Sequence, residues 1–180
     1  MANMKKYLIT AITLGAIAMV SGALIGVTNL ITAERIKENE SNKIYEGVKE
    51  VFDLPNGYVA DRGDLEGYTY VKHCYSIKEN EDSPTFAGMA FLASGSNMYG
   101  KVSIVVGFTL AQELSGVYFV TNEQTYASTL VENYVDPLNA GTREVEDVKC
   151  GATYGATLVK DMINEAKGAI VNYIGIDTNV

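Results

Sequence analysis

The residues best placed to do chemistry lie near the C-terminus, in the stretch Asp147–Thr157, which reads DVKCGATYGAT. Thr153 follows two very small residues, Gly151 and Ala152, and it precedes a segment with a helical apolar period. Small residues at a helix start let a bulky anionic group approach the backbone, where the positive end of the helix dipole attracts it. The stretch therefore indicates a site for such a group. A plainer interpretation also fits, because Thr is common near helix starts.

The composition excludes several other classes of function. The chain has 14 Lys plus Arg against 22 Asp plus Glu, a net charge of -8, so we expect no nucleic-acid partner. One histidine, His73, and two cysteines, Cys74 and Cys150, are too few for an iron–sulfur cluster or a structural zinc site. No hydrolase motif is present, so no catalytic residue is expected. The cysteines are interpreted as free thiols, although sequence alone leaves a disulfide open.

The segment Tyr7–Thr32 contains no charged residue and exceeds the roughly 20 residues that a helix needs to cross a bilayer core. A secretory signal peptide is the competing interpretation, but its apolar region is usually only about 7–15 residues long. We therefore predict a transmembrane helix over 7–32, a cytoplasmic N-terminus over 1–6, and a domain on the extracytoplasmic side of the cell membrane. Small residues such as Gly22 and Gly26 suit packing against other membrane subunits.

After the anchor, the pattern predicts a stalk helix over 33–55 and then a domain over 56–180. Strands are predicted for the apolar and β-branched runs Tyr68–Ile77, Phe86–Ala93, Lys101–Leu110 and Leu114–Thr121. Strands in the middle with helices at both ends predict an α+β fold with a mainly antiparallel sheet and flanking helices.

Turns and helices are predicted around these strands. Asp61–Asp64 has the composition of a turn. A helix is predicted over Tyr126–Tyr134 and is expected to stop before Pro137, because the residue preceding a proline disfavours the helical conformation. A long final helix is predicted over Tyr154–Ile174.

The stretch Asp147–Thr153 fits an Asp-x-x-x-Gly-Ala-Thr pattern and resembles the flavinylation motif of the FMN-binding domain family. Cys150 occupies a motif position that is usually Ser or Thr. The anchor followed by Thr32–Ile36 (TAERI) resembles the start of the G subunit of Rnf-type electron transport complexes. The C subunit of the sodium-translocating NADH:quinone oxidoreductase is similar.

Two further loops follow the order of that family. Its Gly-Tyr-Gly turn before a strand hairpin is matched here by residues 97–101, and the hairpin by residues 102–121. Its Glu-Thr-Pro-Gly-Leu-Gly loop, which packs on the flavin, is matched by Gln124–Thr129. Thr125 is kept there, whereas the Glu, the Pro and both Gly are replaced.

The resemblance implies that the Thr153 hydroxyl carries FMN through a phosphodiester bond. A separate flavin transferase would make that bond from FAD, since a free Thr hydroxyl is a poor nucleophile. Gly151 and Ala152 would leave space for the phosphate. Cys150 and Thr125 are implied to belong to the cofactor site through their positions in the motifs.

The resemblance also assigns roles to the neighbouring residues. Tyr154 or Tyr126 is expected to stack on the isoalloxazine ring. Asp147 is expected to aid the modification or the local structure rather than redox chemistry, or to be a solvated loop acid. Thr157 is expected to cap the helix or to contact the phosphate. Lys149 is expected to be exposed rather than to clamp the phosphate, because Lys is mostly exposed in proteins.

The expected function is that of a membrane-anchored flavoprotein electron carrier, a subunit of an Rnf-like ion-translocating ferredoxin:NAD oxidoreductase complex rather than an enzyme on its own. Its partners would be the other membrane subunits and the flavin transferase. Two alternatives stay open: a stand-alone anchored flavodomain that serves another extracytoplasmic redox system, and a cofactor-free binding or scaffold domain. The departures over 126–129 keep the last alternative open.

Overall fold

The computed structural model describes residues 2–177, which divide into two compact units, Met1–Ser41 and Asn42–Val180. The first helix, α1, spans Ala2–Val51 and so contributes to both units.

In the first unit, the apolar side chains of α1 are exposed. The hydroxyls of Thr13 and Thr28 donate to the carbonyls of Ile9 and Leu24, at 2.9 and 2.8 Å. Polar groups satisfied within the helix are what an apolar surrounding requires. By length and composition α1 can cross a membrane from Tyr7 onward, and the described residues contain one such helix.

The second unit is built on a five-stranded antiparallel sheet whose strands pair in sequence order, β1-β2-β3-β4-β5. The strands are β1 (Tyr58–Asp64), β2 (Val71–Lys78), β3 (Gly88–Asn97), β4 (Gly100–Thr109) and β5 (Leu114–Asn122). The helices that follow are α2 (Ala127–Leu130), a π-helical turn (Val131–Val135), α3 (Asp136–Asn139) and α4 (Thr153–Asp177). The predicted α+β fold with an antiparallel sheet and flanking helices is confirmed.

Successive strand residues point to opposite faces of the sheet, and each face has its own apolar core. One face, represented by Phe91 and Ile104, packs against α4 and the π-helical turn. The other face, represented by Ala90 and Val105, packs against the last turns of α1, where Val48 is fully buried. Helix α4 buries its predicted apolar stripe against the first of these faces. That stripe consists of Leu158, Met162, Ala166 and Ile170.

Strand β2 begins at Val71, later than the predicted Tyr68. The Glu165 carboxylate on α4 accepts hydrogen bonds from the backbone N–H groups of Thr69, Tyr70 and Val71, at 2.6, 2.6 and 2.9 Å. Two of these groups lie ahead of the strand and are bound by a side chain. The long-range contact with α4 thus sets where the strand starts.

The turn predicted over Asp61–Asp64 is wrong, because these residues lie within β1 as a β-bulge. Gly63 has a φ of +96°, in the left-handed region that glycine adopts readily. The bulge brings two carboxylates to His73 on β2. Its ring nitrogens lie 2.6 Å from Asp61 and 2.7 Å from Asp64.

The helical segment does not stop before Pro137, which lies in the first turn of α3. Proline lacks an N–H, and its ring crowds the carbonyl four residues earlier. The preceding π-helical turn is wider, and the N–H of Asp136 donates to the carbonyl of Val131, five residues back. This wider turn lets the helix continue through the proline.

Both cysteines are buried and free, as predicted. Burial raises the pKa of the Cys74 thiol to about 12. This thiol is therefore protonated at neutral pH and behaves as a small core residue.

The Glu165 contact predicts a pH dependence of stability. Burial would raise the pKa of this carboxyl, but the backbone N–H groups of residues 69–71 and the charge of Lys72 lower it below its ordinary value of 4.5. A lowered folded-state pKa stabilises the fold above the unfolded-state pKa, and this contribution is lost as pH falls through the folded-state value.

We expect Glu165→Gln to lower the free energy of unfolding by about 1–2 kcal/mol at pH 7, because charged acceptors form stronger hydrogen bonds than neutral ones. The difference from wild type should shrink as pH falls below about 4.5. Denaturant unfolding of the full chain in mild detergent, followed by circular dichroism from pH 7 to pH 3, measures it. The exposed loop variant Glu79→Gln is the control and should match wild type throughout. A pH-independent difference for Glu165→Gln would contradict the prediction.

Candidate functional site

A pocket of about 230 Å³ opens where the start of α4 faces the β3–β4 turn and the segment after β5. Eight residues line it. Five of them are predicted from the sequence as site residues, and three are not. The predicted residues in its lining are Tyr126, Gly151, Ala152, Thr153 and Tyr154. The additional ones are Tyr99, Gln124 and Gly155.

Small residues shape the backbone that leads into α4. Gly151 has a φ of +87°, which is costly for any residue with a Cβ. A Cβ added at Gly151 would also lie 3.3 Å from Cγ2 of Thr129. Ala152 is buried, whereas Thr153, the first residue of α4, is exposed. Thr153 is thus an exposed residue that follows a turn requiring glycine at position 151.

The first turn of α4 is suited to an anion. The N–H of Ala156 donates to the carbonyl of Ala152 at 3.0 Å, and this is the first backbone hydrogen bond of α4. Within the described chain, the N–H groups of Thr153, Tyr154 and Gly155 have no acceptor. The first turn also carries no acidic side chain. Free N–H groups and the positive end of the helix dipole together attract negative charge.

Three tyrosines form an aromatic wall at the pocket. The ring centroid of Tyr99 lies 5.4 Å from that of Tyr154 and 6.4 Å from that of Tyr126. The outer two side chains are largely exposed, Tyr126 at 56% and Tyr154 at 63%. Exposed aromatic faces at a pocket mouth can stack on a planar ring system.

A network of amide hydrogen bonds ties the pocket walls together. Gln124 is only 7% exposed, and its Nε2 donates to Oδ1 of Asn97 at 3.1 Å and to the carbonyl of Gly100. Asn97 in turn donates through Nδ2 to the carbonyl of Tyr154 at 3.1 Å. A carboxylate at position 124 would face two oxygens with no proton between them. The position therefore requires an amide such as that of Gln124 rather than a carboxylate.

Three of the predicted site residues lie outside the pocket lining. The N–H and hydroxyl of Thr125 both donate to the carbonyl of Tyr99, so Thr125 holds the tyrosine in place. Cys150 is buried in the core. The hydroxyl of Thr157 donates to the carbonyl of Thr153 at 2.8 Å and leaves the free N–H groups of α4 uncapped.

The two charged residues of the motif also lie outside the lining. Asp147 is exposed and lies 3.2 Å from the guanidinium of Arg143, which also donates to the Asp147 carbonyl. The Asp147 carboxylate accepts from the N–H of Lys149 at 3.4 Å. These contacts give Asp147 a role in the shape of the loop. Lys149 is exposed, as predicted.

Residues of the π-helical turn hold both ends of the segment 145–150 that precedes the site. The hydroxyl of Tyr134 donates to the carbonyl of Val145 at 2.6 Å, and Nδ2 of Asn133 donates to the carbonyl of Cys150 at 3.2 Å. Burial raises the pKa of Tyr134, which keeps its hydroxyl protonated as a donor. Sequence reasoning missed both residues, because a π-helical turn has no simple periodic pattern.

The conformation of Gly151 can be tested against a second glycine of the same region. Gly151→Ala should lower the free energy of unfolding by about 1–2 kcal/mol, the cost of a left-handed backbone for a residue with a Cβ. Gly168→Ala lies in the interior of α4, where a Cβ meets nothing within 4 Å, and should raise it by up to about 1 kcal/mol. Denaturant unfolding in mild detergent measures both. Equal effects of the two variants would contradict the positive φ at Gly151.

Comparison with known proteins bears on the N-terminal part of the chain. Residues 1–51 match a protein-family model described as the RnfG N-terminal region. The match covers α1 and ends where that helix ends. No curated protein matches the sequence. Together with the exposed apolar surface of α1, the match indicates single-pass anchoring in a membrane. Residues 1–51 are therefore similar to the RnfG N-terminal region, a likeness that covers under a third of the chain.

Proposed function

We propose that this protein is a membrane-anchored electron carrier that bears FMN in phosphodiester linkage to the hydroxyl of Thr153. It acts within an Rnf-like ion-translocating ferredoxin:NAD oxidoreductase complex. The single observation that carries the proposal is that Thr153, the exposed first residue of α4, lines a pocket with an aromatic wall.

The residues present fit a phosphodiester at this position. The free N–H groups of residues 153–155 supply donors for the phosphate oxygens. Among the described residues, none of those that line the pocket is acidic, although the chain as a whole is acidic. Gly151 and Ala152 place no large side chain beside the Thr153 oxygen. A monoanionic phosphodiester would therefore be stabilised locally despite the net charge of -8.

The aromatic wall suits the ring system of FMN. Tyr99 is held by Thr125, and the rings of Tyr126 and Tyr154 lie next to that of Tyr99 and are largely exposed. FMN, when bound, passes electrons one or two at a time. The chain supplies its position and a mouth through which a partner can approach, since the outer two tyrosines are exposed.

A covalent bond to the hydroxyl of Thr153 would keep FMN on the domain. A domain outside the cytoplasm cannot easily rebind FMN once it is lost. In the attachment step the Thr153 oxygen would bond to the phosphorus of the FMN half of FAD, and AMP would leave. Among the described residues no base accepts a hydrogen bond from this hydroxyl, which supports the need for a separate flavin transferase.

The N-terminal region supports membership of the complex. It matches the RnfG family over the whole of α1, and the small residues of this helix suit close packing against other membrane helices. The pocket favours a cofactor carrier over a cofactor-free scaffold, because a scaffold needs no aromatic cleft beside an exposed hydroxyl. The domain is proposed to lie on the extracytoplasmic side.

Attachment is tested by co-expression with a flavin transferase and denaturing electrophoresis. Wild type and Thr153→Ser should give a fluorescent flavin band and an FMN-sized addition in intact mass, whereas Thr153→Ala should give neither. Thr157→Ala is the matched control, because the Gly-Ala-Thr tripeptide recurs at residues 155–157 and Thr157 is outside the pocket lining. It should keep the label. A dark wild-type band, or a label lost only in Thr157→Ala, would refute attachment at Thr153.

Membership of the complex is tested by purification from the native host in mild detergent. The chain should elute together with several other membrane subunits, at an apparent size far above its own 19.5 kDa. A labelled chain that elutes alone would instead support a stand-alone anchored flavodomain. Mass spectrometry of the co-eluting bands provides the measurement.

A further inference from the structure

We propose that the side-chain oxygen of Gln124 is the fixed hydrogen-bond acceptor of the pocket, and that it accepts the imide N–H of the bound ring system. The inference rests on the proposed function, because it assumes that the pocket takes a flavin. It assigns a specificity-determining role to Gln124, at a position where this chain departs from the loop that it resembles.

The hydrogen bonds around Gln124 settle which way its amide faces. Nε2 donates to the carbonyl of Gly100, which can only accept. It also donates to Oδ1 of Asn97, whose own orientation is fixed because its Nδ2 donates to the carbonyl of Tyr154. The N–H of Tyr99 donates to the same Oδ1 at 2.8 Å. Exchanging oxygen and nitrogen in either amide would set acceptor against acceptor.

The Gln124 oxygen therefore points away from Asn97 and towards α4. It lies 3.2 Å from the position that a Cβ on Gly155 would occupy, and both residues line the pocket. No donor to this oxygen is found among the described residues. In the same part of the chain, every buried side-chain polar atom has a partner. The oxygen is thus not sealed in the core but opens on the pocket.

The side-chain oxygen of Gln124 is a hydrogen-bond acceptor without a donor in the described part of the chain, and the side chain is nearly buried. It therefore favours a ligand that donates a hydrogen bond to it. A ring that covers it without donating would leave it unsatisfied, at a cost comparable to a lost hydrogen bond. The isoalloxazine ring in its oxidised form carries one N–H, the imide between its two carbonyls. The Gln124 oxygen is complementary to that group and repels either carbonyl, so it fixes which edge of the ring enters the pocket.

The test uses the full chain in detergent, produced without a flavin transferase so that Thr153 is unmodified. Riboflavin and 3-methylriboflavin, which lacks the imide proton, are titrated and followed by fluorescence anisotropy. Wild type should bind riboflavin about tenfold more tightly than the methylated analogue. In Gln124→Met the two affinities should become equal. The neighbouring exposed variant Glu123→Met is the control and should keep the tenfold preference.

Two results would overturn the inference without touching the attachment of FMN, which the label on Thr153 tests separately. These are equal binding of the two ligands to wild type, and a preference that survives in Gln124→Met. If neither ligand binds, the inference is overturned. That result would also contradict the placement of the flavin ring in the aromatic pocket. If circular dichroism shows that Gln124→Met does not fold, the hydrogen bond is tested in wild type through the NMR resonance of the imide proton of bound riboflavin. It should shift downfield, and an unchanged resonance would refute the hydrogen bond.

Discussion

The hydrogen bonds that meet at Asn97 hold the candidate site together. Its nitrogen donates to the carbonyl of Tyr154, and its oxygen accepts from the side chain of Gln124. Because Asn97 ends β3, Gln124 follows β5 and Tyr154 lies in the first turn of α4, three parts of the chain that are distant in sequence meet at one side chain. Gln124 is nearly buried, so leaving its amide N–H groups without acceptors would be costly. The three parts therefore keep one relative placement, which defines the pocket between them.

The placement is precise because α4 is fixed by contacts other than those of the pocket. Its buried stripe packs on one face of the sheet, and Glu165 binds the backbone ahead of β2. On the other side, Asn133 holds the carbonyl of Cys150 immediately before the left-handed Gly151. The Thr153 hydroxyl thus lies at the junction of a rigid helix and an anchored loop, which is the support that a preorganised site requires.

The sequence predicts well those parts of the structure that local pattern decides. The β4–β5 hairpin and α4 lie close to their expected bounds, since alternation and helical period are local properties. The clustering of small residues before Thr153 likewise indicated the turn that exposes it. Tyr99 and Gln124 were not predicted as pocket residues, because their roles arise from contacts between separate segments. The bulge at Gly63 and the helix through Pro137 were not predicted either. The first depends on pairing with β2 and the second on the π-helical turn that precedes it.

The absence of a cap on α4 connects local structure with the proposed chemistry. Its first N–H groups have no acceptor in the described chain, and the hydroxyl of Thr157 turns to a carbonyl instead. Natural helices usually satisfy such groups with a side chain. On the proposed function, the phosphate esterified to Thr153 would act as the missing cap, since it adds a negative charge where the helix dipole is positive. Attachment would then stabilise the helix that presents Thr153, since the N–H groups of residues 153–155 would gain an anionic acceptor.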